Sequence, residues 1–134
     1  SYTAARVKLN PSLTSGVFVS GDHRQLEMVV LNLLTNAQNA CVLQSFKQHV
    51  LVDLHHADGV VILEVTDNGM GVPEDQQQNI FNLFHTTKAN GMGVGLWLGR
   101  EIMHNHQGEL ELVQSKPGST CFRISLPLVC LVAE

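Results

Sequence analysis

The chain has 134 residues, 44% of them hydrophobic, which suits a single domain, residues 1–134, around one core. Its 8 basic and 12 acidic residues give a formal net charge of −4, which argues against a nucleic-acid surface that binds by neutralising phosphates. No apolar run reaches the ~18 residues that a membrane span needs, and three cysteines without a C-x-x-C motif favour a reducing compartment.

The first half of the chain predicts four strands and one long helix. Asp22 with Gln25 three residues later is typical of a capping box, and an apolar stripe at helical spacing runs on to about Phe46. Asp58-Gly59 is a strong two-residue hairpin signal. The predicted strands are Val7–Leu9, Val17–Val19, Val50–His56 and Val60–Asp67.

The second half predicts two helices and a second hairpin. Pro73 suits the first position of a helix that runs to Phe84, and another helix runs from Gly93 or Val94 to Gly108. Strands follow at Glu109–Gln114 and Thr120–Leu126, joined by Pro117-Gly118. This order of elements predicts an α/β fold, with helices layered on one face of a mixed sheet.

Two glycine-rich turns indicate a nucleotide site. They are Asp67-Asn68-Gly69-Met70-Gly71 and Gly91-Met92-Gly93-Val94-Gly95-Leu96. Glycine permits positive φ and brings backbone N–H groups close to a ligand. Neither turn is a Walker loop, since the second lacks the Lys-Ser or Lys-Thr ending, and neither has the context of a dinucleotide fold.

A polar stripe on the first helix comes before these turns. Asn32, Asn36 and Asn39 are four and three residues apart and share one face. A solvated face is the simplest interpretation, and we prefer it for Asn39. A carboxamide oxygen is a good ligand for Mg²⁺, so we predict that Asn36 binds the metal. The seven histidines indicate no metal centre, because neighbouring pairs point in different directions.

Asp67 and Lys88 are the charged residues closest to the turns in sequence. Asp67 ends an apolar strand and could simply cap the turn. Beside Gly69 and Gly71, its carboxylate could also accept a hydrogen bond from the exocyclic amine of adenine. Lys88 could be an ordinary solvated lysine. Next to glycine N–H groups at a helix start it would complete an anion site for a triphosphate.

These motifs resemble the catalytic and ATP-binding domain of two-component sensor histidine kinases. The box Asn32-Leu33-Leu34-Thr35-Asn36-Ala37 matches the family's asparagine box, and its second asparagine implies Mg²⁺ ligation by Asn36. Asp67 matches the aspartate that binds the adenine amino group. Phe81–Phe84 matches the phenylalanine box, Thr86–Lys88 with Gly91–Gly95 resembles the ATP lid, and Gly118–Thr120 is similar to a late element whose threonine helps to hold a water beside adenine.

The resemblance implies the Bergerat fold, a two-layer sandwich with three helices on one face of a mixed sheet. It assigns ATP and Mg²⁺ as cofactors and gives Asn32 and Lys88 catalytic roles. The residues expected to bind the nucleotide are Asn36, Asp67, Gly69, Gly71, Phe84, Thr87, Lys88, Gly91, Gly93, Gly95, Leu96 and Thr120.

The implied activity is transfer of the γ-phosphoryl group of Mg-ATP to a histidine on a partner dimerisation domain. No phosphoacceptor helix precedes Val7, so we expect that domain elsewhere, in the same or a sister subunit, with a response regulator downstream and a cytoplasmic location. A motor ATPase is disfavoured, because Asn32 stands where motors keep a glutamate base. A slow ATPase, a nucleotide-dependent interaction module and a serine-directed anti-sigma kinase remain alternatives.

Overall fold

The computed structural model describes residues 6–9, 16–41, 49–83 and 95–132. The two α-helices in these ranges are α1 His23–Cys41 and α2 Gly95–Asn105, and a single 3₁₀ turn spans Glu74–Gln76. The strands are β1 Arg6–Leu9, β2 Gly16–Phe18, β3 His49–Ala57, β4 Val60–Asp67, β5 Glu109–Lys116, β6 Ser119–Pro127 and β7 Cys130–Val132.

Five strands form a mixed sheet in the order β1-β3-β4-β6-β5. β1 is parallel to β3 and the other neighbours are antiparallel. β2 and β7 form a separate antiparallel pair. Asp58 and Gly59 connect β3 to β4 with φ of 54° and 78°, the positive values that a tight hairpin turn requires, which confirms the predicted hairpin.

The two α-helices pack on one face of this sheet, and the core lies between the layers. Along β6 the residues that face the helices are buried and the alternate residues are partly exposed, the pattern of a sheet covered on one side. The largest fully buried side chains are Val29, Leu33, Val50, Val65, Met103 and Leu110. The predicted two-layer α/β sandwich with a mixed sheet is therefore confirmed.

The α-helix predicted from Pro73 to Phe84 is wrong over residues 73–83. Backbone N–H groups there bond three residues back, as from Gln76 to Pro73, Asn79 to Gln76 and Asn82 to Asn79, so the chain follows successive tight turns. The Gln77 side chain also holds this segment against β5, and Ile80 and Phe81 are both buried. One 3₁₀ turn thus replaces the second of the three predicted helices. Phe84 and the predicted extension of α1 to Phe46 lie outside the described residues.

The start of α1 is capped partly as predicted. Asp22 Oδ1 accepts a hydrogen bond from the backbone N–H of Gln25 at 3.0 Å, which confirms Asp22 as the N-cap. The Asp22 backbone N–H donates to His106 Nε2 at 3.0 Å, and His106 Nδ1 is 2.7 Å from the carbonyl oxygen of Ile102. Histidine therefore links the end of α2 to the start of α1.

The sheet face opposite the helices carries charged and polar side chains. Arg123 Nη2 lies 2.7 Å from Glu64 Oε2, and this hydrogen-bonded pair raises the pKa of the guanidinium. Cys121 lies on the same face and is only partly buried, so its thiol is not in the core; burial nevertheless raises its pKa. No helix in the described part of the chain is long and apolar enough to cross a membrane.

Candidate functional site

Two polar residues are buried where the sheet ends. Asp67, the last residue of β4, is 4% exposed and Thr120 on β6 is 3% exposed, and they are the buried polar side chains of the described residues. They are direct cross-strand partners, so their side chains lie on the same face, a few ångströms apart. Burying a carboxylate beside a hydroxyl is costly, and buried ionisable groups cluster at functional sites, so this pair marks a candidate site.

The first glycine turn holds the Asp67 carboxylate in place. Gly69 N–H donates to Asp67 Oδ1 at 2.9 Å. A Cβ on Gly69 would come within 2.4 Å of the Ala40 carbonyl oxygen, so the turn lies directly on α1. On its other side, Gly118 N–H donates to the Gly69 carbonyl at 2.9 Å. Glycine is therefore required at residue 69 for close approach.

Gly71 has a different requirement. Its φ is 83°, a left-handed conformation that favours glycine, and a Cβ there would be 3.0 Å from the Lys116 carbonyl. The turn is thus fixed between α1 and the hairpin that joins β5 to β6. Both glycines serve the backbone geometry around Asp67.

Asn68 extends the pairing of β3 and β4 into the turn. Its backbone N–H donates to the His49 carbonyl at 3.3 Å, and its Oδ1 accepts from the His49 N–H at 2.8 Å. Sequence reasoning missed this role, although asparagine after a strand often forms such side-chain bonds to the backbone.

Ser115 is a second residue that sequence reasoning missed. Its Oγ lies 2.8 Å from the backbone nitrogen of Val72 and 3.0 Å from Thr120 Oγ1. Gln77 Nε2 donates to the Val72 carbonyl at 3.0 Å and to the Ser115 carbonyl at 3.4 Å. Thr120 is therefore tied to the segment that follows the first glycine turn. A serine opposite a threonine across a predicted hairpin was the available signal.

The other end of the candidate site lies where α1 meets α2. A Cβ on Gly95, the first residue of α2, would be 3.6 Å from Asn32 Nδ2. Asn36 is partly buried one helical turn further along α1, whereas Asn39 is exposed. The Asn32 carboxamide therefore lies beside the start of α2. The N-terminal N–H groups of a helix attract anions.

The remaining predicted residues divide into two groups. Leu96 is partly buried and packs against the hydrophobic core. Phe81, from the phenylalanine box, is buried edge-on against Phe122 with ring centroids 6.3 Å apart. Phe84, Thr87, Lys88, Gly91 and Gly93 lie outside the described residues, and their roles remain predictions.

The described residues fit the nucleotide and metal that the sequence predicts. A buried carboxylate accepts hydrogen bonds from an amine, and the glycine turn beside it fixes the carboxylate through the Gly69 N–H. The partly buried Asn36 carboxamide offers a neutral oxygen of the kind that Mg²⁺ accepts alongside phosphate oxygens and water. The strand ends can hold a base, and the region near the start of α2 can hold the polar phosphate groups of a nucleotide.

The chain is similar in sequence to a family of ATPases and to sensor proteins. Residues 21–129 match the family model of histidine kinase-, DNA gyrase B- and HSP90-like ATPases. The chain is 36% identical to the sensor protein FixL of Bradyrhizobium diazoefficiens, covering 90% of this chain and 24% of that protein. It is 37% identical to the sensory histidine kinase/phosphatase NtrB of Azospirillum brasilense, covering 90% of this chain and 32% of that protein.

Two solved structures have a fold similar to that of this chain. A mycobacterial sensor histidine kinase, MprB, matches with a TM-score of 0.75 and 26% identity, covering 92% of this chain and 82% of that chain. Full-length ShkA in complex with AMPPNP matches with a TM-score of 0.80 and 22% identity, covering 96% of this chain and 27% of that chain, and this likeness concerns the fold alone. The chain spans a quarter to a third of the length of FixL and NtrB.

Proposed function

Because the chain belongs to the family of histidine kinase-, DNA gyrase B- and HSP90-like ATPases, we propose that it binds Mg-ATP and transfers the γ-phosphoryl group to a histidine. The acceptor would lie on a dimerisation domain of the same or a sister subunit, in a two-component system. The observation that carries the proposal is the pair of buried polar residues, Asp67 and Thr120, at the end of the sheet of a family member.

Adenine would bind at the strand ends. An ionised carboxylate only accepts hydrogen bonds, so Asp67 suits the exocyclic amine of adenine and repels the carbonyl that guanine presents at that position. The Gly69 N–H fixes the orientation of the carboxylate before the base arrives. This preorganisation favours binding, because little freedom is lost when the nucleotide enters.

The phosphates would lie toward the start of α2. Asn36 would hold Mg²⁺, which when bound neutralises charge on the phosphates. Gly95 would offer its backbone to the phosphates beside Asn32, while Leu96 would support that turn from the core. Thr87, Lys88, Gly91 and Gly93 would complete the phosphate site, with Phe84 beside it.

The chemistry favours transfer over hydrolysis. A neutral imidazole nitrogen is already a nucleophile: it would attack the γ-phosphorus while the bond to the β–γ bridging oxygen breaks and ADP leaves. Such an acceptor needs no base from this chain. Water does need one, and Asn32, near the start of α2, is a carboxamide with negligible basicity. Asn32 would therefore position groups without activating water.

The relatives support a place in signalling. FixL is a sensor protein and NtrB is a sensory histidine kinase/phosphatase. By analogy, this chain would act in the cytoplasm as the catalytic part of a sensor kinase and pass phosphate, through the acceptor histidine, to a response regulator.

Phosphotransfer from labelled ATP tests the proposal. We would mix the chain, Mg²⁺ and γ-labelled ATP with the dimerisation domain of NtrB, and separately fuse the chain to that domain. We expect acid-labile, base-stable label on the dimerisation domain, none on this chain alone, and strong reduction by Asp67→Asn. ATP binding without any transfer in the fusion would favour an interaction module. Rapid ATP consumption without an acceptor would favour an ATPase.

A further inference from the structure

We infer that Ser115 determines base specificity by fixing the direction of the Thr120 hydroxyl. In this arrangement Ser115 donates to Thr120, so the proton of Thr120 is directed to the base or to a water beside it. Ser115 is then a positioning residue, which selects adenine over guanine without touching either. The inference rests on the proposed nucleotide site.

The Pro117-Gly118 turn places Ser115 opposite Thr120. Lys116 pairs with Ser119 across this two-residue turn, so the next pair along the hairpin is Ser115 and Thr120. The irregularity in the pairing of β5 with β6 lies further from the turn and leaves this pair unchanged. A short hydroxyl therefore lies beside the buried Thr120 on the inner face of the sheet.

The hydrogen bonds of Ser115 favour one direction for its proton. The Val72 backbone N–H can only donate, so Ser115 Oγ accepts at 2.8 Å. In the described part of the chain, the remaining partner of this hydroxyl is Thr120 Oγ1 at 3.0 Å. If Ser115 donates to Thr120, the Ser115 hydroxyl is fully used, and the proton left over is that of Thr120, beside Asp67 in the candidate site. The reverse direction would leave the Ser115 proton without an acceptor among these residues.

The resulting pattern complements adenine. Asp67 presents an acceptor and Thr120 presents a donor, side by side on neighbouring strands. The Watson–Crick edge of adenine presents an amine donor next to the N1 acceptor, whereas guanine presents a carbonyl acceptor next to an N–H donor. If Ser115 is lost, the Thr120 hydroxyl can rotate to accept, and the pocket tolerates guanine better.

Gln77 holds the backbone on both sides of the bond between Val72 and Ser115. It bonds to the carbonyls of both Val72 and Ser115, which keeps the Val72 N–H in position for the Ser115 oxygen. Ser119 provides a matched control, since its hydroxyl accepts from Gln114 Nε2 at 2.8 Å, away from Thr120. Both serines lie in the same hairpin, but only Ser115 contacts the candidate site.

Calorimetry with ATP, GTP and 1-deaza-ATP, which lacks the N1 acceptor, tests the inference. We expect Ser115→Ala to weaken ATP binding about threefold to tenfold, the usual value of one neutral hydrogen bond. It should leave 1-deaza-ATP binding unchanged and lower the ratio of ATP to GTP affinity. Ser115→Thr should restore selectivity, and Ser119→Ala should match the wild type.

Equal weakening of ATP and 1-deaza-ATP, or unchanged selectivity in Ser115→Ala, would overturn the inference. If the alanine variant is too unstable to titrate, Ser115→Cys keeps the volume with a weak donor and gives the same comparison. Failure of the wild-type chain to bind ATP would instead overturn the proposed function. The two failures are therefore distinguishable.

Discussion

The two ends of the candidate site are built in different ways. At the strand end, Asp67, Gly69, Ser115 and Thr120 are joined to each other or to the backbone by hydrogen bonds of 2.8–3.0 Å. At the helix end, Asn32 on α1 lies near the start of α2, where a Cβ on Gly95 would be at ordinary van der Waals distance from its carboxamide, and Asn36 lies one helical turn further along α1. Substitutions at the strand end should therefore disturb the fold together with binding, whereas those at the helix end should change binding alone.

The largest contrast is expected between two glycine substitutions. In Gly69→Ala the new Cβ would come within 2.4 Å of the Ala40 carbonyl oxygen, which is backbone and cannot move easily. We expect the free energy of unfolding to fall by about 1–3 kcal/mol, the usual cost of overpacking, and nucleotide binding to be lost with the turn. Gly95→Ala, whose Cβ would be 3.6 Å from Asn32, should change stability by less than about 0.5 kcal/mol. Urea unfolding of both variants checks this, and equal losses would remove the contrast.

A second effect concerns the buried carboxylate. Asp67→Asn replaces an acceptor by a group that also donates. We therefore expect the binding free energy of Mg-ATP to become less favourable by about 1.5–3 kcal/mol, the value of a charge-assisted hydrogen bond. Calorimetry measures this, with Asp58→Asn in the exposed hairpin turn as the control, because asparagine tolerates its positive φ. Unchanged affinity in Asp67→Asn would mean that the base binds elsewhere.

The helix end should respond to the metal. Asn36→Ala should lower ATP affinity several-fold in Mg²⁺ and leave the weaker binding in EDTA unchanged, because only the metal-bound complex uses this carboxamide. Asn39→Ala, on the exposed part of the same stripe, should match the wild type under both conditions. A Mg²⁺ dependence that survives in Asn36→Ala would assign the metal to other residues.

The smallest effect is spectroscopic. Trp97 is partly buried on α2, two residues after Gly95, so its emission should respond to packing near the helix start. We expect saturating Mg-ATP to alter this emission much more than Mg-ADP does. Identical spectra with both nucleotides bound, as verified by calorimetry, would show that Trp97 does not sense the γ-phosphate.

The sequence predicted this molecule best where one local rule decides the structure. The Asp58-Gly59 turn, the Asp22 cap and the stripe of α1 each follow from short-range chemistry, and each is present. The Pro73–Phe84 helix failed because tertiary contacts decide that segment: Gln77 bonds to β5, and the adjacent Ile80 and Phe81 are both buried.

The candidate site, like the fold, was predictable from the sequence only in part. Asp67, Gly69 and Asn36 stand in short motifs that any sequence reader can find. Ser115 does not, because its contact with Thr120 depends on the pairing of two strands, and its bond to the Val72 N–H depends on a segment 43 residues away. The role of Asn68 in extending the β3–β4 pairing likewise depends on a partner 19 residues away, His49.

A crystal structure of the chain with Mg²⁺ and a non-hydrolysable ATP analogue would test the central claim most directly. We predict the adenine amino group within hydrogen-bond distance of the Asp67 carboxylate, N1 on the Thr120 side, and the metal near Asn36. A base bound at the start of α2, with the phosphates at the strand end beside Asp67, would contradict it.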